Sequence, residues 1–163
     1  MRGAVRRGFT LVEASMAMVI ISVGVMAMLQ LLAAGTVSNE DGAELTTAVN
    51  LANNIHEISL WLAFQDTNNP GSPTTKETSP ANYNDIWDMN GDTYSPPLDV
   101  SRNSIATYGN WAQQVTVSTV DPNNVTATRP NDPTQPTARV TVIITHRGKQ
   151  VYQASWLITA PNS

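Results

Sequence analysis

The chain has 163 residues, which suits one small domain plus one membrane-length segment. It contains no cysteine, and that excludes a disulfide framework, a thiolate metal centre and a lipidated cysteine. Its formal charge is −4; setting aside Arg2, Arg6 and Arg7 of the first eight residues takes the nine basic residues to six against thirteen acidic ones, a balance of −7 that argues against a grip on nucleic-acid phosphates.

The first element is a short basic head, Arg6-Arg7-Gly8, followed by Phe9-Thr10-Leu11-Val12-Glu13 and an uncharged stretch from Ala14 to Ala34. The stretch is long enough to cross a bilayer as a helix. Glu13 is its anomaly. A charge deep in a bilayer costs roughly 2.5–3.5 kcal/mol, and intramembrane acids are usually functional, so Glu13 requires a partner. An ordinary secretory signal fits less well, because the apolar run exceeds an h-region, Glu13 interrupts it, and Leu32 spoils the small-residue cleavage pattern before Ala34. Arg6-Arg7-Gly8-Phe9-Thr10-Leu11 mimics a twin-arginine signal, but Val5 replaces the usual hydroxyl residue and Glu13 is again out of place.

In register, Gly8 before Phe9, Glu13 as the fifth residue counted from Phe9, and the uncharged run after it resemble a type IV prepilin. The resemblance covers residues 6 to about 35. It implies that a prepilin peptidase cuts between Gly8 and Phe9 and methylates the new amino terminus at Phe9. It implies that Glu13 meets the N-terminal ammonium of a neighbouring subunit during assembly. The implied partners are the prepilin peptidase, other pilin or pseudopilin subunits, an inner-membrane assembly platform, and membrane lipid before assembly. The implied divisions are a cleaved leader (1–8), a transmembrane and filament-core helix (9–35), and a periplasmic or extracellular head (36–163). By the positive-inside rule the arginine-bearing end is cytoplasmic and the rest lies outside. Within the family, Ile21-Ser22-Val23-Gly24-Val25-Met26 and Leu29-Gln30 look like the helix of V-type minor pilins and I-type minor pseudopilins.

All ten prolines lie at Pro70 or later, so nothing interrupts one long helix from Phe9 to Phe64, about 80 Å at 1.5 Å per residue. After Gly35 its character changes. Glu40, Asp41, Glu44 and Glu57 appear, and Ala48, Leu51, Ile55, Ile58 and Leu62 make one apolar stripe that should carry the head. Gly24, Gly35 and Gly42 are candidate bends. Residues 65–110 are rich in turn formers, as in Asn68-Asn69-Pro70-Gly71-Ser72-Pro73, and read as a long loop pinned by Tyr83, Trp87 and Tyr94. The resemblance makes this loop the variable surface for subunit-specific contacts.

Three period-two segments close the chain: Trp111–Val120, Ala138–His146 with Val140, Val142 and Ile144 on one face, and Gln150–Thr159 with Tyr152, Ala154, Trp156 and Ile158 on one face. Arg147-Gly148 predicts a tight hairpin, and Asp121–Pro136 a longer connection. Helix followed by antiparallel strands is an α+β arrangement. The resemblance gives it a pilin-like form, a long N-terminal helix with a membrane half and an amphipathic half, packed on a small antiparallel sheet.

Motifs for chemistry are sparse. His56 and His146 sit in different elements without cysteine partners, and no nucleophile elbow, P-loop or H-E-x-x-H occurs. Asp85, Asp88, Asn90, Gly91 and Asp92 resemble part of a calcium loop, but with Gly91 at the sixth position the first falls on Ile86 and the twelfth on Pro97, so the EF-hand pattern fails. Asn124-Val125-Thr126 matches a glycosylation sequon. No metal, cofactor or catalytic residue is expected. The sequence favours a structural, non-enzymatic subunit, minor in kind, of a type IV pilus or type II secretion pseudopilus. Its rivals are a membrane-anchored or exported binding protein or enzyme, and a pilus-tip adhesin using the loop at 65–110.

Overall fold

The computed structural model describes residues 8–66, 76–129 and 135–160. Arg2, Arg6 and Arg7, most of the leader, and the Asn68–Pro73 run lie outside the described residues. The chain divides between Ala43 and Glu44 into two compact units.

The first unit is helical from Leu11 onward. It belongs to α1, Leu11–Trp61, a 51-residue helix that runs unbroken through Gly24, Gly35 and Gly42. Its apolar side chains are bare, from Leu11 at 87% exposed to Leu32 at 68%, and by length and composition this helix can cross a membrane.

The second unit begins on the last turns of α1 and ends with the sheet. Here the expected stripe is buried: Ala48, Leu51, Ala52, Ile55 and Ile58 pack into one apolar core. Burying a Leu or Ile side chain contributes about 1.5–3 kcal/mol, so Leu51, Ile55 and Ile58 each stabilise the packing by about that much. α1 stops at Trp61 rather than Phe64. Beyond it the chain extends, with Ala63 bridging to Asp85 and the Phe64 carbonyl accepting from Trp87 Nε1 at 2.9 Å, which seats Phe64 against the Trp87 ring.

Against the helix lies an antiparallel sheet of five strands: β1 (Thr93–Tyr94), β2 (Trp111–Asp121), β3 (Asn124–Thr128), β4 (Thr137–His146) and β5 (Lys149–Thr159). The order is β1-β2-β4-β5, with β3 paired to the end of β2. In register, Val117 faces Val140 and Val115 faces Val142, and all four are buried with Ile144. On β5 the inward set Tyr152, Ala154, Trp156 and Ile158 is half-buried and packs on the same core. The β4–β5 hairpin turns at Arg147 and Gly148, with φ of 51° and 78°, so both central residues are left-handed.

Two expectations are corrected. The connection at 121–136 is not plain loop. Asp121 Oδ1 accepts from Asn123 N at 2.9 Å, the chain reverses, and β3 pairs back on β2. Residues 76–110 are more than surface. They form three short 3-10 turns and β1, and they put Ile86, Met89 and Leu98 into the core together with the expected Tyr83, Trp87 and Tyr94.

Candidate functional site

At the start of α1, Thr10 and Glu13 form a reciprocal cap. Glu13 Oε2 accepts from Thr10 N at 2.9 Å and from Thr10 Oγ1 at 2.9 Å, while Glu13 N donates to Thr10 Oγ1 at 3.3 Å. A hydroxyl residue at the N-cap and Glu at the third helical position are the two halves of a capping box. The arrangement satisfies amide groups that the first turn otherwise leaves open. It also places a negative charge where the helix dipole favours one. Glu13 Oε1 has no partner among the described residues and faces outward on an exposed side chain. Phe9, which precedes the cap, is 81% exposed. A Cβ built at Gly8 meets nothing within 4 Å, so nothing in the chain's own packing demands glycine there. Gly8, Phe9 and Glu13 thus fall within one short exposed segment. The sequence reading did not anticipate the Thr10 cap, although the spacing Thr10-Leu11-Val12-Glu13 carries the capping-box signal.

In the head, both histidines and the acidic stretch make contacts within the protein. His146 Nδ1 lies 2.7 Å from Glu44 Oε1, and its ring stacks on Trp111 with centroids 4.3 Å apart. His56 meets Trp156 edge-on at 4.9 Å. The acidic stretch is committed to protein donors. Asp85 caps the turn Ile86–Met89 by accepting from Trp87 N at 2.7 Å. Asp88 accepts from the main-chain N–H groups of Glu77, Asn84 and Asp85. Asn90 Oδ1 accepts from Val117 N, and Asp92 pairs with Lys76 and accepts from the Tyr83 hydroxyl. Among the described residues no group of three or more His, Cys, Asp or Glu is placed to hold a metal ion.

Burial sets the electrostatics of this layer. It raises Asp85 to about 6, and it raises the Tyr83 and Tyr94 hydroxyls far above their ordinary value. A side-chain hydrogen bond with Asp88 pushes Glu77 up, because two carboxyls side by side resist ionising together. In the sequon, Asn124 Oδ1 accepts from Thr126 Oγ1 at 2.6 Å on an exposed strand.

No curated protein and no solved structure matches the chain. Residues 4–29 match the family model of the prokaryotic N-terminal methylation motif. The match spans Gly8, Phe9, Thr10 and Glu13 and reaches well into the bare apolar part of α1. That motif points to a structural rather than an enzymatic protein, processed by a prepilin peptidase and assembled with other pilin subunits. The chain carries a type IV prepilin-like leader, followed by a long N-terminal helix and a small antiparallel sheet in a pilin-like α+β architecture.

Proposed function

We propose that this chain is a structural subunit, minor in kind, of a type IV pilus or a type II secretion pseudopilus. The peptidase cuts between Gly8 and Phe9 and methylates Phe9. Residues 9–35 anchor the subunit in the inner membrane as a single pass with the leader cytoplasmic, and residues 36–163 form the head outside. An assembly platform then draws the helix out of the lipid into the filament.

The observation that carries this reading is Glu13, set four residues after Phe9 inside the matched motif and at the head of an uncharged, exposed helix. Its Oε2 is held by Thr10, which fixes the side chain, and its Oε1 is open to an incoming cation. A neighbour's N-terminal ammonium at about 4 Å contributes about 4 kcal/mol at an effective dielectric near 20, before desolvation. That is comparable to the cost of holding the acid in lipid, so pairing favours the filament over the membrane. The minor-subunit reading follows from the likeness of Ile21–Gln30 to minor pilins.

Gly8→Val tests the processing step. The substitution meets no steric conflict within the chain, so the precursor should fold and insert as before. Its intact mass should be that of the unprocessed protein. A mature, methylated mass for Gly8→Val would overturn the reading.

A further inference from the structure

The head contains a cleft that the N-terminal motif does not use. It measures about 340 Å³ and lies where α1 ends, walled by Trp61, Tyr83, Asn84, Val100, Ser101 and Arg102. Trp61 is 85% exposed, with its indole standing in solvent beside the cleft. Tryptophan presents a large flat apolar face with one polar N–H, so at the cleft it offers a ligand a surface to stack on. Arg102 sits on the opposite side of the charge balance from the rest of the head. It donates through Nη1 to the Tyr83 carbonyl at 2.7 Å, and it has no carboxylate partner among the described residues. A guanidinium carries five donors, so most remain available.

The loop holds Arg102 in place. Its φ is 66°, a conformation unusual for a residue with a side chain. The turn that imposes it is closed by Arg102 N donating to Asp99 O at 2.9 Å and by Asn103 N donating to Asp99 Oδ1 at 2.8 Å. The Asn84 side chain is anchored away from solvent, its Nδ2 donating to Glu77 Oε1 at 2.9 Å.

The wall is mixed, and that decides the occupant. An apolar protein segment would cover Trp61 and Val100 but strip water from Arg102 and Ser101 without replacing it, which is costly. A hydroxyl-rich ring meets both needs, since its C–H face covers the indole and its oxygens satisfy the donors. We propose that the cleft binds a saccharide carrying a carboxylate on its pyranose ring, which stacks on Trp61 while the acid group accepts from Arg102. This goes beyond the filament reading and does not depend on processing or assembly, so either can fail while the other stands.

The test uses the full chain in lipid nanodiscs, titrated calorimetrically with trigalacturonate and separately with neutral cellotriose. Trigalacturonate should bind, and cellotriose should bind at least about fivefold more weakly. Trp61→Ala should weaken trigalacturonate by about tenfold or more, without lowering the melting temperature, because the side chain is exposed. Arg102→Asn keeps a residue that tolerates positive φ. It should bring trigalacturonate down to the level of cellotriose. Identical titrations for wild type and Trp61→Ala would overturn the proposal. So would no heat with either sugar up to about 10 mM. Sedimentation showing that Trp61→Ala abolishes self-association, with no sugar binding in the wild type, would assign the cleft to a protein partner and overturn it equally.

Discussion

Gln113 donates from Nε2 to the main-chain carbonyl of Leu51 at 2.8 Å and thereby ties β2 to the helix. The same amide accepts through Oε1 from Leu98 N at 2.7 Å, so one fully buried side chain joins the helix, the loop at 76–110 and the sheet. Gln113→Leu keeps the volume but strands the Leu98 N–H in the core. A buried donor without a partner costs about 1–3 kcal/mol, so this variant should lose that much in denaturant unfolding. Gln113→Ala adds a cavity and should lose more.

Trp156 makes the second tie. Its Nε1 donates to Ser59 Oγ at 2.9 Å, and Ser59 Oγ in turn donates to the His56 carbonyl at 2.6 Å. Trp156 faces the core but is only half-buried. Trp156→Ala should therefore destabilise the head by about 2–3 kcal/mol, below the roughly 3–5 kcal/mol of a fully buried aromatic. Trp156→Phe keeps most of the packing and loses the hydrogen bond, so about 1 kcal/mol is expected. Urea midpoints at constant slope measure both.

The two ties show what the sequence makes legible. Period two placed Val115, Val117, Val140, Val142 and Ile144 inward, and proline-free sequence gave one long helix, because both signals are local. The same period places Gln113 on the inward face, but its polar side chain masks that position. Ser59 is masked likewise within the helical stripe. The β3 hairpin was missed because proline and asparagine at 122–123 read as loop, while the pairing depends on the Asp121 side chain closing the turn. Tyr83 and Tyr94 were legible as loop anchors, but the bonding of Asp92 to Tyr83 and Lys76 is a tertiary contact that no local pattern encodes. At the N-terminus the motif lies in consecutive residues, so the prepilin-like leader was readable, and the Thr10–Glu13 cap could have been.

The acid layer gives the head a pH dependence. Asp85 is raised to about 6, chiefly by burial, so the folded head binds its proton more tightly than the unfolded chain does. Stability from this group is fully present below the unfolded value, about 4, and is lost as pH rises through about 6. Glu77, also raised, acts in the same direction. Solvent screening reduces the Asp85 contribution to on the order of 1–2 kcal/mol of stability, lost between about pH 4 and pH 7 and read as a falling melting temperature. Asp85→Asn keeps an acceptor for Trp87 N and removes the charge, so it should flatten that slope. An unchanged slope would place the titration elsewhere.

The β4–β5 turn has one residue working against its type. Arg147 holds φ of 51°, whereas the left-handed positions of a two-residue hairpin turn favour Asn or Gly. Arg147 N donates to Asn110 O at 2.8 Å, so the main chain must stay as it is. Arg147→Asn retains that bond and relieves the strain. A gain of about 0.5–1 kcal/mol is expected in thermal unfolding, and a loss would mean the arginine side chain makes a compensating contact.

Glu13 is the residue on which assembly should turn. In the isolated chain its Oε2 is held by Thr10 and its Oε1 is open. Glu13→Gln retains an oxygen acceptor for the Thr10 cap but loses the negative charge, so the helix start should survive. Glu13→Ala loses both. Each variant should still insert, because each removes a charge from the apolar segment, and each should still be cut after Gly8. Under the proposed pairing, assembly should fail or become inefficient in both, since breaking a buried ion pair costs about 3–5 kcal/mol. Glu13→Asp keeps the charge on a shorter stem and should fall between. Comparing the share of each variant in sheared filaments with the share left in the membrane measures the effect. If Glu13→Gln assembles like wild type while Glu13→Ala fails, the cap rather than the charge is what matters. If both assemble normally, the carboxylate has no part in drawing the subunit from the lipid.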